Sequence, residues 1–134
     1  MTISSIRIGT RKTQLALKQT ELVVEALKHH YPALTIHTIP VDTLGDQIQD
    51  KPLPEIGGKG VFTATLEKAL LAGELDFAVH SLKDLPITPT QGLTNGAILA
   101  RADVRDVFIS KNKLSLEALP KGARIGTSSP RRKA

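Results

Sequence analysis

Hydroxyl and charged side chains recur in four short clusters along the 134 residues. The first is Thr10, Arg11, Lys12 and Thr13, and the second is Thr43, Gly45 and Asp46. The third is Ser81, Lys83 and Asp84. The fourth runs through Thr127, Ser128, Ser129, Arg131 and Arg132. Arginine offers a forked set of donors that matches a carboxylate, and hydroxyls with free backbone N–H groups at a helix start favour anions. Asp84 is a carboxylate set beside a cation, the arrangement used to carry a proton or to stabilise a developing positive charge. Each cluster also has a plainer reading. Thr127 to Arg132 also reads, less well, as a capped helix with solvated arginines, Arg11 as a surface charge beside a cap, and Lys83-Asp84 as a surface ion pair.

Other candidates are weaker. Gly57-Gly58-Lys59-Gly60 offers close backbone approach and one cation, but it lacks phosphate-loop spacing, and a flexible turn is an equal reading. The four histidines are 29, 30, 37 and 80. His29-His30 close a helix, where positive charge suits the dipole, and His80 precedes the Ser81 to Asp84 turn as a packing or hydrogen-bonding group. No His, Cys or carboxylate spacing reads as a metal site, and there is no cysteine for a disulfide.

The elements that must position these clusters follow from periodicity. Ser5 to Gly9 alternates as a strand. Leu15, Leu22, Val23, Ala26 and Leu27 then share a helix face that Tyr31-Pro32 ends. Leu34 to Val41 is rich in β-branched residues and reads as a second strand. A long irregular stretch from Asp42 to Gly60 precedes a second amphipathic helix through Phe62, Leu66, Ala69 and Leu70. Leu75 to His80 is the third strand, Leu93 to Ala100 a further candidate, and Val107 to Ser110 and Ala123 to Gly126 short strands. Ser129-Pro130 starts a helix. The order β-α-β-α-β predicts an α/β layer fold with a largely parallel sheet, and every cluster then lies just past the carboxyl end of a strand, where such sheets bind ligands. Residues 1–100 form the first α/β domain, and 101–134 a hinge and the beginning of a second, incomplete one.

Composition narrows the partners. The formal net charge is +5, with three Phe, one Tyr and no Trp. The positive balance fits a solubilising surface or an anionic ligand. So few aromatics argue against single-stranded nucleic acid, which needs stacking platforms. No apolar run is long enough to span a bilayer, and the first residues lack a signal-peptide core, so the expectation is cytoplasmic with no membrane partner.

Five segments in this order resemble the porphobilinogen deaminase (hydroxymethylbilane synthase) family. They are RIGTRKTQLAL from Arg7, GGKGVF from Gly57, VHSLKDLP from Val79, RADVRDVF from Arg101 and GTSSPRR from Gly126. The resemblance covers essentially the whole chain. It implies a transferase that joins four porphobilinogen units head to tail with loss of ammonia, in tetrapyrrole (haem and chlorophyll) biosynthesis. It implies growth on a dipyrromethane cofactor held by a cysteine thioether. The implied fold has a first domain like a type II periplasmic binding protein and the start of a second such domain, in a full-length protein expected to be a monomer.

Residue by residue, the resemblance makes Asp84 the catalytic aspartate. Arg11 and Thr13 would bind acetate and propionate groups, Ser81 and Lys83 cofactor carboxylates, and Lys59 would lie in a loop over the cleft. Asp46 would lie near the cofactor, and Thr127, Ser128, Ser129, Arg131 and Arg132 would hold its acidic side chains. Departures occur at Thr13 for the usual Ser, Glu55 where a basic residue is common, Ala64-Thr65 for a Lys-Glu pair, and Pro130 for Leu. The chain ends on the first turn of a helix and is expected to be truncated and inactive alone. The alternative is a non-catalytic anion-binding module of periplasmic-binding type.

Overall fold

The computed structural model describes residues 3–43, 46 and 60–133. Two compact units divide the chain, Met1–Leu99 and Ala100–Ala134, and each is taken by itself. The first carries β1 (Ser5–Arg11), α1 (Gln14–His30), β2 (Thr35–Val41), α2 (Ala64–Leu71) and β3 (Phe77–Ala78). Its three strands are parallel in the order β2-β1-β3, with Ser5 opposite Thr35, Arg11 opposite Val41, and Ile8 opposite Phe77. The clusters after β1, β2 and β3 therefore leave the sheet at the same end, because parallel strands present their carboxyl ends together.

Side chains alternate across a strand, and the two faces of β1 are used differently. Ile8 and Thr10 are fully buried on one face. There the Thr20 hydroxyl of α1 donates to Thr10 Oγ1 at 2.8 Å. The opposite face holds Gly9, where a Cβ would sit 2.4 Å from Leu75 Cδ1 and 2.7 Å from Leu66 Cδ2. A larger residue here would displace Leu66 and Leu75, whose side-chain ends pack directly on the strand backbone. Ile8, Leu66 and Leu75 are the buried apolar core of the described residues.

Local chemistry sets the helix ends. Thr13 caps α1, its Oγ1 accepting from the Ala16 N–H at 3.3 Å, and Lys28, His29 and His30 occupy the last turn, where cations suit the dipole. Gly73 follows α2 at φ +70°, the left-handed conformation that favours glycine. Among the described residues, no helix is long and apolar enough to cross a membrane.

The elements up to α2 follow the periodicity closely, and the later ones do not. The third strand is two residues long, because only Phe77 and Ala78 pair with β1. Leu93 to Ala100, Val107 to Ser110 and Ala123 to Gly126 form no ladder among the described residues. In the second unit Val107, Ile109 and Ile125 are 82%, 86% and 59% exposed. Strand propensity needs a partner to become a strand, and none of the described residues supplies one there. The one regular element among the described residues of this unit is α3 (Pro130–Lys133). Ser129 precedes it as a cap and Pro130 takes the first helical position, as the sequence predicts.

Candidate active site

β1 delivers Arg11 to the carboxyl end of the sheet, on the same side as Gly9, where α2 packs. Its guanidinium carbon lies 4.2 Å from the centre of the Phe62 ring, a cation–π contact. Arg11 Nε donates to both Asp46 carboxylate oxygens, at 3.2 and 3.1 Å, and Nη2 donates to Asp46 Oδ1. Nη1 donates to Asp84 Oδ2 at 3.2 Å. One cation at the end of β1 thus joins carboxylates that follow the two other strands. All three side chains are about four-fifths buried, so their interaction is screened less than at an open surface.

Electrostatics follow the bonds. Hydrogen bonding to Arg11 holds the Asp46 carboxyl below the usual carboxylate range, against the opposing effect of burial, and the Thr43 hydroxyl adds to it. The Arg11 guanidinium is raised above its ordinary value by the same Asp46 bond, with Asp84 adding a further charge.

Asp84 closes a 3-10 turn, Leu82–Asp84, which Ser81 enters in extended conformation. The Asp84 N–H donates to the Ser81 carbonyl oxygen at 2.9 Å. Ser81 Oγ donates to Gln19 Oε1 at 2.9 Å, fixing the turn against α1. Arg11, Thr13, Ser81, Lys83 and Asp84 line one cleft of about 360 Å³, within the size range of small-molecule sites. Thr13 Oγ1 spends an acceptor position on its cap, so its O–H remains available to donate. Lys83 is exposed at the rim, its ammonium in no ion pair among the described residues. His80 shares the cleft wall. Burial pushes its imidazole below the ordinary histidine value, and its Nδ1 is buried without a hydrogen-bond partner.

Five of the expected residues, Arg11, Thr13, Ser81, Lys83 and Asp84, thus meet in one cleft, and Asp46 braces it through Arg11. Lys59 and Glu55 lie outside the described residues. Thr127, Ser128, Ser129, Arg131 and Arg132 belong to the second unit. There Thr127 Oγ1 accepts from the Ser129 N–H at 3.1 Å, and Arg132 forks onto Asp106, its Nε donating at 3.0 Å.

Sequence reasoning missed Gln19, Phe62 and the bracing role of Thr43. Thr43 was visible as a hydroxyl past a strand end. Gln19 and Phe62 carried no signal, because each reaches the site from a segment far from its partner in sequence.

A larger groove, of about 630 Å³, lies between β2 and α2. Ile39, Val41, Ala69 and Leu75 make it mainly apolar, and its charges, Lys68 and Glu74, are one of each sign. It lacks the converging donors of the smaller cleft, which is therefore the better candidate for an acidic ligand.

The chain is similar to a set of known proteins that carry the same kind of segment. A relative from Rickettsia bellii (strain OSU 85-389) named porphobilinogen deaminase is 53% identical over 131 residues, covering 98% of this chain and 44% of its own length. Relatives of the same name from Desulfitobacterium hafniense and Natranaerobius thermophilus are 52% and 50% identical, covering 98% and 95% of this chain and 43% and 41% of their own lengths. The chain therefore spans less than half the length of these relatives. The family model described as "Porphobilinogen deaminase, dipyromethane cofactor binding domain" matches residues 6–134. With that match running across both units, the chain belongs to the porphobilinogen deaminase family.

Proposed function

We propose that this chain is the part of a hydroxymethylbilane synthase that holds acidic pyrroles against a catalytic carboxylate, Asp84. The observation that carries this reading is the junction of Arg11 with Asp46 and Asp84 at a cleft also lined by Lys83, Ser81 and Thr13. Each porphobilinogen carries two carboxylates, and its ring becomes cationic as ammonia leaves. A cleft for a growing chain of such units needs several cations and hydroxyls, with an anion facing the ring. Arg11, Lys83, Ser81 and Thr13 supply the first requirement and Asp84 the second.

The donor set fits a dipyrromethane in the same terms, since its rings bear the same acidic groups. When bound, that group would supply the carbon to which the first pyrrole unit is joined. Arg11 Nη1, the Thr13 hydroxyl and the Lys83 ammonium would hold its carboxylates, and Ser81, anchored by Gln19, would fix the turn that carries Asp84. Within the second unit, Thr127, Ser128, Ser129, Arg131 and Arg132 offer carboxylate donors of the same kinds. Asp84 stabilises the positive pyrrole as the amine departs. The 134 residues contain no cysteine, so the thioether that anchors the cofactor in this family cannot form on this chain. Incubated with porphobilinogen, the isolated chain is expected to keep its unmodified mass, and a covalent dipyrromethane adduct in its mass spectrum contradicts that expectation.

A polypeptide of full family length carrying this segment is expected to convert porphobilinogen to hydroxymethylbilane with release of ammonia. Asp84→Ala is expected to lower turnover by about 10²–10³-fold with the cofactor still attached, the scale of a lost electrostatic stabiliser. If Asp84→Ala changes affinity for acidic pyrroles and leaves turnover intact, the residue has no catalytic role. If the wild-type protein binds acidic pyrroles without turning them over, the segment is a non-catalytic anion-binding module.

A further inference from the structure

Arg11 is not shared evenly between its two carboxylates. Asp46 receives Nε, at 3.2 and 3.1 Å, and Nη2, whereas Asp84 receives only Nη1, at 3.2 Å. Asp46 is itself restrained. The fully buried Thr43 donates its hydroxyl to Asp46 Oδ2 at 2.6 Å, and the Asp46 N–H donates to the Thr43 carbonyl oxygen at 3.0 Å. Thr43 lies two residues past Val41, which stands opposite Arg11 in the sheet register. The brace is therefore tied to the sheet at both strand ends, and the Phe62 ring covers one face of the guanidinium.

We propose that Thr43 and Asp46 are positioning residues for Arg11, so that an entering ligand carboxylate takes the Nη1 place held by Asp84 while the fork to Asp46 stays closed. Forked, charge-assisted bonds to a restrained partner are stronger than one single contact, so the single contact is the one exchanged. Asp84 is then released from its cation as the ring arrives. Asp46 acts through Arg11, and its effect on the ligand is indirect. The ligand part of this inference rests on the function proposed above. The positioning part does not.

The Arg11 Nε–Hε resonance in 15N spectra, assigned by its loss in Arg11→Lys, reads the fork directly. Asp46→Asn is expected to speed Hε exchange by about tenfold or more, the loss of a charge-assisted bond. Thr43→Val is expected to speed it less, and Thr43→Ser, which keeps the hydroxyl, to restore wild-type exchange. The Thr43 pair decides the matter if Asp46→Asn does not fold. Porphobilinogen is expected to shift the Arg11 Nη signals and leave Hε protected. Unchanged exchange in Asp46→Asn, Thr43→Ser behaving like Thr43→Val, or loss of Hε protection on adding porphobilinogen overturns the proposal. If the variants respond as expected but porphobilinogen moves no Arg11 signal, the positioning stands and the functional reading fails.

Discussion

Two arginine–aspartate forks in this chain use the same chemistry in different surroundings. In the first unit Arg11 meets Asp46 with both side chains about 17% exposed. In the second, Arg132 meets Asp106 with side chains 44% and 72% exposed. The first pair stands beside a packed sheet, with Thr43 behind the carboxylate and Phe62 against the guanidinium. The second lies open to solvent, the carboxylate more than the guanidinium. Similar contacts therefore differ in consequence: burial and bracing turn an ion pair into a fixed part of a site, and exposure leaves it an adjustable surface charge.

The contrast extends to the apolar residues, and the largest expected effects lie there. Leu66→Ala or Ile8→Ala removes a fully buried side chain and is expected to destabilise the first unit by about 2–5 kcal/mol in denaturant melts. Ile109→Ala, at a position 86% exposed, is expected to change stability by less than about 0.5 kcal/mol. Equal losses at the two positions would erase the distinction between the units.

Asp46→Asn comes next, at about 1–3 kcal/mol, the range for a bond to a charged group. The native pKa of Asp46 lies below its unfolded value, because Arg11 and Thr43 bond the charged form. Its contribution is complete above about pH 4 and fades as pH falls through the depressed native value. The substitution is therefore expected to flatten the acid limb of a stability–pH curve.

His80 gives a milder dependence at higher pH. Burial depresses its native pKa below the ordinary value of 6.5, so the unfolded chain takes up the proton first. Stability is expected to be complete above that value and to fall as pH drops through the depressed one, with His80→Phe flattening this part of the curve. A curve unchanged by the substitution would remove the effect. Smallest of all, Arg132→Ala is expected to cost no more than about 0.5 kcal/mol, less in high salt. A large stability loss there would show that the second fork is as firmly built as the first.

How far the sequence reveals the molecule follows the same division. β1, α1, β2 and α2 are legible because periodicity, the Thr13 cap and the Tyr31-Pro32 stop all act within a few residues. The candidate strands of the second unit are not, because a ladder depends on a partner at a distance. In the site, the rule that parallel sheets bind ligands at their carboxyl ends places Arg11, Ser81, Lys83 and Asp84 together. It does not choose which carboxylate Arg11 prefers. That choice depends on the side of β1 from which Arg11 leaves, and on Thr43 fixing Asp46. Gln19 is joined to Ser81 across 62 residues, a separation no local pattern reports.

On the proposed function, an acidic pyrrole binds in the smaller cleft with Asp84 facing its ring. A structure of the protein with porphobilinogen bound decides this. A ligand carboxylate is expected within hydrogen-bond distance of Arg11 Nη1 and Lys83 Nζ, and the pyrrole nitrogen against the Asp84 carboxylate. Porphobilinogen seated instead in the apolar groove between β2 and α2, against Ile39 and Leu75, would contradict it.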